Sequence, residues 1–218
     1  MKKLLSVLTI TAALCATMSC TKDGIFGKGS INGTITEEYM DGSNALYWGE
    51  GATFGLFKGT TANEQYYLSS GASSRKGKFK SDGGETKGVS IDGTVAVAPY
   101  NSGATVSTAD GTATIKTFVP STISFSKAGV YDAGVCPLIA VSSKKKEDNL
   151  SFVAPLGGVS VKLTGEVAIT KVEITAKGGE IINGDLTVTA DKDGVKSIEM
   201  TGGTSTTVID CGEGIQLT

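Results

Sequence analysis

Apolar and polar residues alternate with a period of two in several stretches of this chain, and that period dictates most of what it can fold into. In "TATIKTFV" (112–119), Ala113, Ile115, Thr117 and Val119 share one face. "GVSVKLTG" (158–165) sets Val159, Val161 and Leu163 against Ser160, Lys162 and Thr164. "TKVEITAKG" (170–178) opposes Val172, Ile174 and Ala176 to Glu173, Thr175 and Lys177, and "DLTVTA" repeats the pattern with Leu186, Val188 and Ala190. Successive strand side chains point to opposite faces, so each run predicts a strand with one buried side. Turn pairs separate such runs: "DG" at 23, 41, 82, 92, 110 and 193, and "NG" at 32 and 183. These pairs tolerate the positive φ of tight hairpins. No 3.6-residue apolar stripe competes with this pattern beyond the N-terminal segment. The prediction is an all-β protein of one or two antiparallel β-sandwich domains.

The first nineteen residues follow a different rule. Met1, Lys2 and Lys3 give a positive start, and Leu4 to Ala16 is uncharged and apolar or small. That order is a secretory signal, too short to span a bilayer core of about 20 apolar residues. Thr17-Met18-Ser19-Cys20 resembles a bacterial lipobox. The resemblance implies that Cys20 is lipidated and becomes the first residue of the mature chain, held by its acyl chains at roughly 0.8 kcal/mol per buried methylene. The expected organisation is a signal peptide over 1–19, a lipidated tether over 20–29, a β-sandwich over 30–145 and a second β-rich region over 146–218, either complete or lacking terminal strands. The division rests on the charge run "SSKKKEDN" (142–149), which reads equally as a long exposed hairpin loop inside one domain.

Composition excludes whole classes of chemistry. The chain has no His, which removes Ser-His-Asp and Cys-His catalysis and imidazole metal sites. Signal cleavage removes Lys2 and Lys3, leaving 18 basic against 22 acidic residues, a formal charge of −4. Nothing in that balance suits nucleic acid. Of four cysteines, Cys15 leaves with the signal and Cys20 carries lipid; Cys136 and Cys211 are either one disulfide or two buried thiols. "DKDG" (191–194) is a fragment of a calcium loop but sits where a hairpin turn is expected. The pattern S-x-x-K recurs, as at Ser73/Lys76 and Ser142/Lys145, with lysines that look solvated rather than buried beside a nucleophile. Glu37 and Glu38 are adjacent, so on a strand they point apart and do not form a catalytic pair. The reading is no catalytic residue, no metal and no cofactor: not an enzyme.

The succession "ATFGLFKG" (52–59), "NEQYYL" (63–68), "GTVAVAPYN" (93–101), "NLSFVAPLGGVSVKLTG" (149–165), "ITKVEIT" (169–175) and "VIDCGEGIQL" (208–217) resembles the fimbrillin-like surface lipoproteins of Bacteroides-group bacteria. The pieces "F-G-L-F", "A-P-Y-N" and "D-C-G-E-G" carry most of the likeness. It implies stacked β-sandwiches on the outer membrane at the cell surface, anchored in lipid through Cys20. The implied partners are other pilin or adhesin subunits, or glycans of host or bacterial surfaces. Family members continue beyond the "C-G-E-G" stretch, whereas this sequence stops at Thr218. That difference implies either an open sheet edge for a strand from another chain to fill, or a shortened gene product with impaired function. Pilus-forming relatives are cut after a basic residue; the one Arg here, Arg75 in "SSRKGK", would release several strands and is read as an exposed loop residue.

The alternative function is a surface glycan-binding lipoprotein. Tyr47-Trp48 and Tyr66-Tyr67 are adjacent pairs, so one ring of each faces in and one out. Trp48 and Tyr67 are the candidate glycan contacts, with core packing the competing reading for Trp48.

Overall fold

The computed structural model describes residues 30–36, 38, 39, 44–81, 90–125, 131, 132, 136–159 and 161–217. Its strands are β1 Ile31–Ile35, β2 Glu38–Tyr39, β3 Asn44–Tyr47, β4 Thr53–Lys58, β5 Thr61–Ser70, β6 Lys76–Ser81, β7 Thr94–Ala98, β8 Thr105–Ala109 and β9 Thr112–Val119. They continue with β10 Thr122–Ser124, β11 Tyr131–Asp132, β12 Leu138–Ser142, β13 Asn149–Phe152, β14 Ala168–Thr175, β15 Gly184–Asp191, β16 Gly194–Thr201 and β17 Thr206–Gln216. No helix occurs among the described residues. The fold is all-β and sandwich-like.

Seven strands form one sheet in the order β12-β7-β4-β5-β6-β1-β13. Its two edges meet: Ile139 and Val153 exchange both backbone hydrogen bonds at 2.9 Å. The sheet therefore curls until it closes, leaving an inside and an outside. Inside lie Phe54, Tyr66, Phe79, Phe152, Leu138 and Leu150. Outside, Phe57, Val95, Val97 and Ile139 pack against Ile115, Leu186 and Val188 of a four-stranded sheet ordered β16-β15-β9-β8. Strand β7, "TVAVA", is buried at every position because it is covered on both sides. Its small Ala96 and Ala98 face the crowded rings within, and the larger Val95 and Val97 face the second sheet. A strand buried on both faces reads as a continuous apolar run rather than an alternation.

Most strand pairs are antiparallel, as expected, but β1–β13, β10–β17 and β11–β3 are parallel. The division expected at 145/146 falls between β12 and β13, both strands of the closed sheet. The charge run there is the largely exposed connection 143–148 that joins them. Its Lys144 carbonyl accepts the hydroxyl of the buried Thr94 at 2.8 Å, which ties the connection down to β7.

Two of the turn pairs behave as the sequence suggests. Asp110 and Gly111 both have positive φ in the two-residue β8–β9 turn, and "DKDG" closes the β15–β16 hairpin with Asp191 opposite Gly194. The two "NG" pairs do not. Asn32-Gly33 lies inside β1, and Asn183-Gly184 opens β15. Gly33 pairs with Gly77 of β6, and the Trp48 indole lies against both, donating its Nε1–H to the Gly33 carbonyl at 3.0 Å. Trp48 also meets Phe79 and Phe152 edge-on, with centroids at 4.9 and 5.1 Å.

Three sequence pieces of the family resemblance meet at one point. Asn63 of β5 holds a positive φ and donates from Nδ2 to the carbonyls of Asn101 and Ser102 at 2.8 and 3.2 Å. Its Oδ1 occupies the space a Cβ on Gly55 would need. So the Asn63 side chain packs over Gly55 of "F-G-L-F" and is hydrogen-bonded to the end of "A-P-Y-N", which fixes the 101–104 turn ahead of β8.

Candidate assembly surface

The last sheet, β10-β17-β14, contributes no residue to either core. Its register places Ile123, Ile209 and Val172 in one row, with Ile174 and Thr207 in a neighbouring row on the same face. The four aliphatic side chains are only half-buried, and none of them belongs to either core. β14 is an edge of this sheet, so one side of its backbone has no strand partner among the described residues. The edge carries a Lys171–Glu173 ion pair at 3.0 Å, both side chains more than half exposed. At the far end, "D-C-G-E-G" forms an irregularity in β17. Asp210 Oδ1 accepts the Gly212 N–H at 2.9 Å, and Gly212 and Gly214 take positive φ. A bulge of this kind bends a strand and re-aims the residues beyond it.

The segment before β14 corrects one expectation. "GVSVKLTG" is not a strand, and Val159, Val161 and Leu163 are 66%, 55% and 43% exposed rather than facing a core. Alternation needs a ladder and an opposing layer to become a buried face, and this segment has neither.

One buried amide ties this sheet to β15. Asn183, buried ahead of β15, donates from Nδ2 to the Thr206 carbonyl at 2.7 Å and to Thr207 Oγ1 at 3.2 Å. Its Oδ1 accepts the Thr204 N–H at 3.0 Å. The sequence pattern hides Asn183 because "NG" signals a turn; only the tertiary partner reveals the role.

The remaining candidates are distributed across the fold. Trp48 is fully buried, which removes it as a glycan contact: its ring fills the space over the paired glycines. Tyr67 is exposed and its neighbour Tyr66 is buried, as strand alternation requires. Arg75 is half-buried and donates from Nε to the Ile35 carbonyl at 3.0 Å, so it is not a fully exposed loop residue. Cys136 and Cys211 are separate free thiols, the first buried in the inner core and the second half-buried in β17. Cys20, the segment 1–19 expected to be a signal, the expected tether and Glu37 lie outside the described residues. Among the described residues no helix is long and apolar enough to cross a membrane, and no group of three or more acidic or Cys side chains is placed to hold a metal.

Asp191 carries an electrostatic effect at a turn. The Asp193 N–H, donated to its Oδ1 at 2.8 Å, holds its carboxyl below the ordinary value, and Lys196 at 3.1 Å acts in the same direction. This stabilises a hairpin rather than a site of chemistry.

Comparison with family models, curated proteins and solved structures finds no match.

Proposed function

We propose that this protein is a lipid-anchored cell-surface subunit, similar to fimbrillin-like pilus or adhesin components, and that it associates through strand complementation. The observation that carries the reading is the half-covered aliphatic face of β10-β17-β14 beside an unpaired β14 edge. A strand laid along β14 would pair its open backbone edge and extend the same face, setting apolar residues of its own beside Val172 and Ile174. Backbone hydrogen bonds supply affinity in that mode and alternate side-chain pockets supply specificity. The exposed Val159–Val167 run has the composition such a face accepts. The lipobox-like "T-M-S-C" supports an anchor at Cys20, and the order of sequence pieces supports the family likeness.

Immunogold electron microscopy of intact cells, with antibody against residues 30–218, tests this. Gold along filaments is the result expected of a pilus subunit, and scattered surface gold that of an accessory adhesin. Labelling that emerges only after permeabilisation overturns surface display. In the same cells, radiolabelled palmitate is expected in the wild-type chain and absent from Cys20→Ser.

A further inference from the structure

A shallow cleft of about 450 Å³ lies on the four-stranded sheet. We infer that it is a glycan-binding site, with Phe118 as the platform on which a pyranose ring stacks. The ring of Phe118 is 48% exposed although it stands within a folded sheet, on β9 between β8 and β15. Its neighbours in β9, Thr117 and Val119, belong to the opposite face, where Val119 joins the outer core.

The cross-strand rows supply the rest of the site. Asp185 of β15 is directly opposite Phe118, and Thr201 of β16 is opposite Asp185. Two residues along, on the same face, Lys116 is flanked by Thr187 and Thr105. The 101–104 turn closes one end, held in place by the Asn63 amide. Among the described residues, neither Asp185 nor Lys116 has an ion pair or a side-chain hydrogen bond. One apolar ring is thus bordered by a carboxylate, an ammonium group and several hydroxyls. A sugar presents the matching surfaces: an apolar C–H face and a rim of hydroxyls that both donate and accept.

Other ligands fit less well. β15 is paired on both sides, and β9 with β15 throughout and with β8 up to Lys116, so only 117–119 is open on one side, too short for a peptide to add as a strand here. A nucleic acid would bring phosphates to a cleft with one Lys and one Asp in an acidic chain. The inference gives the adhesive reading a ligand class and rests on it only for display at the cell surface.

The test is native affinity electrophoresis of the full-length chain in mild detergent, through gels containing yeast mannan, laminarin, arabinoxylan or gastric mucin. At least one is expected to retard the protein. Phe118→Ala should weaken that retardation roughly tenfold, the order of one lost stacked ring, without moving the thermal melt. Tyr67→Ala should leave it unchanged. Phe118→Trp should keep binding and make emission respond to the polysaccharide, while the wild type, whose one tryptophan is buried, stays silent. Retardation by none of the four, or retardation that survives Phe118→Ala undiminished, overturns the site. Because the assay uses purified protein, either negative leaves surface display and strand complementation standing.

Discussion

Replacing Gly77 by Ala should destabilise the protein through three contacts. A Cβ there would sit 2.6 Å from Leu68 Cδ1, 2.8 Å from Phe79 Cε2 and 3.0 Å from Trp48 Cδ1. Overpacking of this kind costs about 1–3 kcal/mol. The lower chain entropy of unfolded Ala offsets about 0.4–1 kcal/mol of it. The net expectation is a loss of about 1–2 kcal/mol. Gly33→Ala should cost less, since its nearest ring atoms lie at 3.0–3.2 Å. Gly157→Ala is the control: nothing lies within 4 Å of its Cβ position, so it should be neutral. Urea unfolding followed by the emission of Trp48, the one tryptophan in the chain, reads all three. With a slope of about 2 kcal/mol/M, Gly77→Ala should lower the midpoint by roughly 0.5–1 M. A midpoint for Gly77→Ala no lower than that of Gly157→Ala would refute the view that paired glycines make room for the indole.

Asn183→Ala should cost about 2–4 kcal/mol, because the Thr206 carbonyl and the Thr204 N–H lose a buried partner; a melt within error of wild type would show that the amide does not tie the two sheets. In protein made from residue 21 onward, Cys211 should react with a thiol reagent before Cys136, which should wait for denaturant; a fast phase that survives Cys211→Ser contradicts this. Asp191 has its carboxyl pKa lowered on folding, so its contribution is present above the unfolded value of about 3.9 and is lost as pH falls through the folded one. Thermal melts of Asp191→Asn should therefore depend less on pH below about pH 4 than those of wild type, and equal slopes would count against the Asp193 N–H as the cause.

Alternating strands were legible from their residues, although only β9 and β15 bury the face expected of them while that of β14 stays half-covered. The alternation in 112–119 is β9, and those in 170–175 and 185–190 fall within β14 and β15. What period two does not carry is the identity of the covering layer. "GVSVKLTG" alternates as well as β9 does, yet no layer covers it. β7 does not alternate simply, because two layers cover it. The "NG" pairs show a second limit: φ preference is local, whereas Gly33 is needed for the absence of a side chain beneath Trp48 and Asn183 for a buried amide. Phe118 is hidden for a related reason. It occupies a polar position of an alternating strand, and a lone aromatic there signals nothing until its row partners are known.

The parallel pairing of β1 with β13 also governs the order in which the chain can finish folding. Asn32 and Asn149, joined through their side chains at 2.9 Å, are 117 positions apart. A chain threaded through a membrane N-terminus first presents β1 long before β13 emerges, so one edge of β1 stays bare while most of the protein is still in transit. Contacts this distant in sequence slow folding, and a bare edge is a place where chains stick together. Export along the proposed route would therefore leave that edge of β1 bare until residue 152 has crossed.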